Sequence, residues 1–167
     1  MSDFLYWWPA LFVPFVWVLI LSIISRVGGW SLLGKVYPAQ DSTALDGESW
    51  KFQTLQMRWG THYGNCVTVR VNPLGLGLSV LWILRIGHPP LLIPWADITI
   101  HKVRRSRFFP PLIEFRFRLE PSIPVRIGNQ LSAKILDSSD SYYPNFRRNI
   151  PQLNTPSSDG VPKPSHF

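Results

Sequence analysis

The residues Phe4 to Ser25 read FLYWWPALFVPFVWVLILSIIS, twenty-two positions without a charge. As a helix this run would extend about 33 Å, enough to cross the roughly 30 Å hydrocarbon core of a bilayer. Asp3 and Arg26 close it on either side. Trp7 and Trp8 near one end and Trp30 beyond the other fall where amphipathic rings favour the two membrane interfaces. The sequence therefore predicts a transmembrane helix over 4–26. Two other forms of apolar run fit less well. Buried helices of soluble cores seldom run this long, and a cleaved signal peptide needs a basic start, a shorter apolar core and small residues at its cleavage site. Pro9 suits a first helical turn, whereas Pro14 removes an interior hydrogen bond and predicts a kink of the kind membrane helices tolerate.

The flanks give an orientation. Arg26 and Lys35 follow the run while Asp3 precedes it, so the positive-inside rule places the N-terminus outside and the carboxyl portion in the cytoplasm of a bacterial-type cytoplasmic membrane. The one cysteine, Cys66, permits no intramolecular disulfide, as suits a reducing compartment.

After the run about 140 residues remain, enough for one domain with its own core. Residues 27–49 read as a juxtamembrane connector, in which Gly28-Gly29 ends the helix and Trp30 to Leu33 continue at the interface. From Trp50 onward the chain breaks into short strands separated by turn residues. The expected strands are 50–58, 66–71, 76–81, 91–95, 98–104, 112–119 and 123–127. Pro94 argues for an edge or a bulge in the fourth. The sixth alternates most cleanly, with Ile113, Phe115, Phe117 and Leu119 on one face and Glu114, Arg116 and Arg118 on the other. Past Gly128 the period changes, and a short helix capped by Asn129 is expected to Asp137. The stretch 138–167, rich in Pro and Ser, is expected to be a disordered tail.

Seven short strands followed by one helix is an order that resembles pleckstrin-homology-like (PH-like) domains. Val69-Arg70-Val71-Asn72-Pro73-Leu74-Gly75-Leu76 resembles the turn into the third strand of bacterial PH-like domains, and Leu91-Leu92-Ile93-Pro94-Trp95-Ala96-Asp97-Ile98 resembles their Ile-x-Trp-x-Asp-Ile segment. The whole plan is similar to small bacterial proteins with one N-terminal membrane helix and such a domain. This resemblance, over 50–137, implies a mainly β fold: two bent sheets forming a seven-stranded half-open barrel, with a short C-terminal helix plugging one end.

Motifs of catalysis are absent from the sequence. It contains no G-x-S-x-G, no H-E-x-x-H and no Walker loop, and Gly75-Leu76-Gly77 reads as a turn and strand rather than a dinucleotide site. His62, His88 and His101 with Cys66 have no metal-ligand spacing. No cofactor, metal or enzymatic activity is expected. Charge is more informative. The formal net charge is +7, and Lys102, Arg104, Arg105, Arg107, Arg116, Arg118 and Arg126 face only Glu114 and Glu120 within some 25 residues. The segment Lys102 to Pro111 adds Phe108 and Phe109 to this set. Near an anionic leaflet each Lys or Arg contributes on the order of 1 kcal/mol. The expected ligand-binding set is therefore Lys102, Arg104, Arg105, Arg107, Phe108, Phe109, Arg116 and Arg118, meeting anionic lipid headgroups or an acidic protein partner. The plainer alternative is a solvated charged face with the two phenylalanines folded into the core. PH-like domains that bind phosphoinositides place bases around the first hairpin, where Gly60 to Asn65 offers only His62. Nucleic acid is not an expected partner of a membrane-anchored chain. Two roles remain open, a binding or scaffolding module and a structural subunit of a larger membrane complex.

Overall fold

A computed structural model of the chain describes residues 4–39, 47–103 and 112–144, with side chains described for 12–39, 47–101 and 112–144. Helix α1 (Phe4–Gly28) runs 25 residues through Pro14 without interruption. Gly29 then adopts φ +89°, the left-handed conformation that glycine reaches without steric penalty, and α2 (Trp30–Val36) leaves at 69° to α1. Among the described residues no single helix is long and apolar enough to cross a membrane, although the bent pair Phe12–Gly28 and Trp30–Val36 passes together by length and composition.

The rest is a nearly closed antiparallel barrel of seven strands with a C-terminal helix. The strands are β1 (Glu48–Gln56), β2 (His62–Asn72), β3 (Gly75–Val80), β4 (Leu91–Pro94), β5 (Ile98–Val103), β6 (Leu112–Phe117) and β7 (Val125–Gly128), and α3 (Asn129–Tyr142) follows. Their order in the sheet is β4-β3-β2-β1-β7-β6-β5. β1 serves both halves. It pairs with β2 over most of its length and with β7 at Leu55 and Gln56. Two register shifts, with Phe52 at φ 57°, lie in between. Such bulges bend a strand and raise its twist, and their extra residue is why alternation in this strand is imperfect.

The barrel interior follows the period-2 pattern. Val67, Val69 and Val71 of β2 and Ile113, Phe115 and Phe117 of β6 point inward and are buried. The turn from β2 to β3 closes as its residue types dictate, with the Asn72 side-chain oxygen accepting from the backbone N–H groups of Leu74 and Gly75. Pro94 ends β4, an outer strand of the sheet, where a missing donor removes no ladder bond.

Several expectations are corrected. The 27–49 stretch is more than a connector, because Trp30, Leu33 and Tyr37 are all in the core. Trp30, expected at a membrane interface, is fully buried. Gly34 in α2 lies so close to Pro89 that an added Cβ would sit 2.3 Å from its ring. Beyond α2, the chain at Tyr37 to Ala39 lies along the outer edge of β4, through a Pro38–Leu91 bridge and bonds from Ala39 N–H to Pro90 O and from Leu92 N–H to Tyr37 O. The Tyr37 side chain meanwhile reaches the other end of the sheet. Its hydroxyl donates to Asp97 and accepts from the Leu119 N–H, and its ring meets Phe117 edge-on at 6.1 Å. One residue thus bridges the seam between β4 and the β5–β6 side.

α3 also runs past its expected end at Asp137, to Tyr142. Its N-cap is Gly128, not Asn129, and no side chain caps it. Leu131, Ile135 and Leu136 pack onto the barrel, and the continuation is held by buried Ser139, which donates to the Leu136 carbonyl, and by Ser138, which donates to Glu48 of β1. Leu119 lies beyond β6 and is exposed rather than inward. Residues 145–167 of the expected tail lie outside the described residues.

Because Trp30 joins α2 to the barrel, Trp30→Ala is expected to lower the unfolding free energy by about 3–5 kcal/mol. Leu119→Ala, at an exposed position, is expected to change it by no more than about 0.5 kcal/mol. Chemical denaturation of the full chain in detergent micelles checks both values.

Candidate functional site

The chemistry of the described chain concentrates where α1 meets the barrel. One face of α1, at Leu21, Ser25 and Gly28, recurs at helical spacing and is buried. Against it lie two connections. The first is the β1–β2 turn, a 3-10 turn at Arg58–Gly60 followed by Thr61, whose methyl would stand 3.0 Å from a Cβ placed on Gly28. The second is the β3–β4 connection, in which Ser25 Oγ donates to the Gly87 carbonyl.

Beneath this junction four groups interlock. Trp30 Nε1 donates to the Pro89 carbonyl at 2.8 Å, and its ring sits 5.4 Å from Tyr63 and 5.7 Å from His88. His88 Nδ1 is 2.9 Å from the Ile86 carbonyl, which can only accept, so Nδ1 carries the proton. Nε2 is then left as acceptor for the Tyr63 hydroxyl at 3.1 Å. Burial lowers the His88 pKa against the opposing pull of the Ile86 and Leu84 carbonyls, and burial raises that of Tyr63. Both groups stay neutral near pH 7. With His88 2% and Tyr63 6% exposed, the pair is closed to any substrate and acts as a positioning hydrogen bond.

Two further polar clusters organise the basic strands. The buried carboxylate of Glu114 accepts from Arg116 Nε at 2.6 Å and Arg126 Nε at 2.8 Å. Burial alone would raise its pKa, but the hydrogen bonds and charges of the two guanidinium groups outweigh that and hold it below 4.5. Asp97, also buried, is paired with Arg118 at 2.7 Å and receives the Tyr37 hydroxyl.

The expected site residues are therefore divided. Arg116 on β6 and Arg118 just past its end have exposed side chains, yet each is turned onto a buried carboxylate, and Glu114, expected on the same polar face, is itself buried. Lys102 belongs to β5 without a described side chain, and Arg104, Arg105, Arg107, Phe108 and Phe109 lie outside the described residues. Trp7 and Trp8 lie in the first turns of α1, likewise without described side chains, while Arg26 is exposed in its last turn. Trp30 is in the core. His62 and His101 are exposed and apart from buried His88, and no group of three His, Cys, Asp or Glu capable of holding a metal occurs among the described residues.

Sequence reasoning missed the residues around the junction. Trp59 in the β1–β2 turn and Trp82 in the β3–β4 connection are each 79% exposed, and Ile83 and Ile86 follow Trp82 in the latter at 50% and 41%. The available signal was composition, since turns that carry Trp and Ile in place of Asn and Ser are unusual for a water-facing surface. Compared with known proteins, the chain matches no family model, no curated protein and no solved structure. Its function is accordingly read from its own geometry.

Neutral His88 sets a pH response. In the unfolded chain this imidazole takes up a proton near its ordinary value of 6.5, whereas the folded protein resists protonation until lower pH. Between those two values the unfolded state binds more protons, so stability is lost on acidification. Glu114 acts in a separate window. Its contribution is present above about pH 4.5 and is lost as pH falls through its lowered folded value. Urea denaturation of the full chain is expected to show stability declining as pH drops below about 6.5. In His88→Gln, which keeps an acceptor for Tyr63, that first decline is expected to disappear.

Proposed function

We propose that this protein is a non-enzymatic single-pass membrane protein whose cytoplasmic barrel, of PH-like form, is a binding or scaffolding module. What carries the proposal is the state of α1. From Phe12 to Ile20 its side chains are apolar and largely exposed around the whole circumference, with Val13 and Phe15 at 65% and 66%. A helix apolar on every side is stable only when something apolar surrounds it, and the barrel does not. Arg26 and Lys35 on the barrel side support a cytoplasmic placement. The strand order and the following helix support the PH-like assignment.

The ligand surface in this proposal is the basic segment that joins β5 to β6. With Arg116 and Arg118 drawn onto Glu114 and Asp97, the cations left to it by sequence are Lys102, Arg104, Arg105 and Arg107. Their counterpart is an anionic leaflet or an acidic protein surface. A second role, as a subunit of a larger membrane complex, is favoured by one observation. Among the described residues β5 pairs only with β6, and a strand with a free edge is a template for an added strand.

The test uses the full chain, because Trp30, Leu33 and Tyr37 make any fragment beginning at Trp50 incomplete. Reconstituted into vesicles with the barrel outward, the protein is expected to remain in the membrane pellet after alkaline carbonate extraction. Trypsin cleavage after Arg104, Arg105 and Arg107 is expected to be slower on phosphatidylglycerol-containing vesicles than on pure phosphatidylcholine. Equal cleavage on both would remove the lipid as ligand and leave the protein partner. Release by carbonate would sink the membrane assignment itself.

A further inference from the structure

Resting on that membrane reading, we infer that the β1–β2 turn and the β3–β4 connection form a collar around the exit of α1 that sits in the headgroup layer of the bilayer, with Trp59, Trp82, Ile83 and Ile86 as its inserted side chains. The occupant of this exposed surface is the lipid of the leaflet that α1 leaves. Three observations point to it.

The first is contiguity. Both connections are packed against the last two turns of α1, one through Thr61 beside Gly28 and the other through Gly87 beside Ser22 and Ser25. The exposed apolar side chains of Trp59, Trp82, Ile83 and Ile86 are carried by these same two connections. The β3–β4 connection is also tied, through the Tyr63–His88 hydrogen bond, to the start of β2, which directly follows the β1–β2 turn.

The second is length. Leu21 is the first α1 side chain buried against the barrel among those described. The helix from Phe4, next to the charge of Asp3, to Ile20 measures only about 25 Å. A hydrocarbon core of roughly 30 Å then has to include Leu21 to Ile24 as well. The turns alongside that segment are brought to the membrane boundary by the same geometry, and a polar surface there would be unfavourable.

The third is chemistry. Trp59 and Trp82 are the most exposed aromatic residues described, and rings of this kind favour the interface because one edge is apolar and the indole N–H is polar. The same region carries Arg26, Arg58 and Arg85. None of the three forms an ion pair among the described residues, and the Arg58 guanidinium stands 5.8 Å from the Trp59 ring centre. Cations beside interfacial tryptophans suit lipid phosphates.

Single cysteines carrying an environment-sensitive NBD fluorophore, introduced into a Cys66→Ser background of the full chain, test the collar with one copy per nanodisc. Labels at Ile83 and Ile86 are expected to emit blue-shifted light, as in the headgroup layer. A label at Leu74, exposed in the β2–β3 turn at the far end of β2, is expected to emit as in water. A label at Val18 reports the anchor independently and is expected to show the largest shift. If Val18 is shifted while Ile83 and Ile86 match Leu74, the collar is overturned and the anchor stands. If Val18 also matches Leu74, both fall. A shift at Ile83 that appears only with several copies per disc would assign the patch to protein contact and overturn the collar. Replacing both Trp59 and Trp82 by Ala is expected to move the Ile83 emission toward the water value while leaving Val18 unchanged.

Discussion

The buried indole of Trp30 holds the molecule together at its most unusual point. A 25-residue apolar helix and a β barrel have no intrinsic reason to share a fixed geometry, since each satisfies its own backbone hydrogen bonds. Here the left-handed Gly29 turns the chain, and the next residue drops a large ring against Tyr63 and His88 while its N–H meets Pro89. Burying that ring without the Pro89 carbonyl would leave a donor unpaired, at a cost of about 1–3 kcal/mol. The β3–β4 connection must therefore stay folded back on the helix, and with it the histidine that braces Tyr63.

Closure of the barrel follows from the same elbow. α2 carries the chain from Trp30 to Tyr37, which aligns the next residues on β4 and places one hydroxyl at Asp97 and Leu119. Outer strands invite unwanted pairing, and of the two outer strands β4 is the one whose edge Tyr37 to Ala39 cover. Further along the sheet the arginines of β6 and β7 hold Glu114 between them. The basic character of this region is consequently less available than its composition implies, because part of it offsets carboxylates that the fold has buried.

Much of this was legible in the sequence. Alternation in 66–71 and 112–119 pointed to strands through its inward apolar set, although the second strand ends at Phe117 and Glu114 of its polar set is buried, and Asn72-Pro73-Leu74-Gly75 announced its turn through residue chemistry. The change of period past Gly128 revealed the last helix. Its extent was obscured because Ser138 and Ser139 look like tail residues until partners 90 residues away and one turn back satisfy them. The role of Trp30 was obscured for a related reason. A tryptophan just beyond an apolar run has the same local signature whether it faces lipid or a core, and only the distant segments around Tyr63 and His88 decide between the two. The exposed Trp59 and Trp82 were missed because strand-and-turn patterning assigns no meaning to an aromatic residue inside a turn.

The elbow has a consequence for how partners are met. A domain on a flexible stalk samples many orientations, and a partner that selects one of them must offset the freedom that is lost on binding. With Ser25, Gly28 and Trp30 all seated against the barrel, the angle between helix and barrel is set when the chain folds. Orientational entropy is then surrendered during folding, before any partner arrives. Such a molecule behaves as a bracket rather than a leash, and a contact too weak to hold a freely rotating domain can suffice for one that already faces the right way.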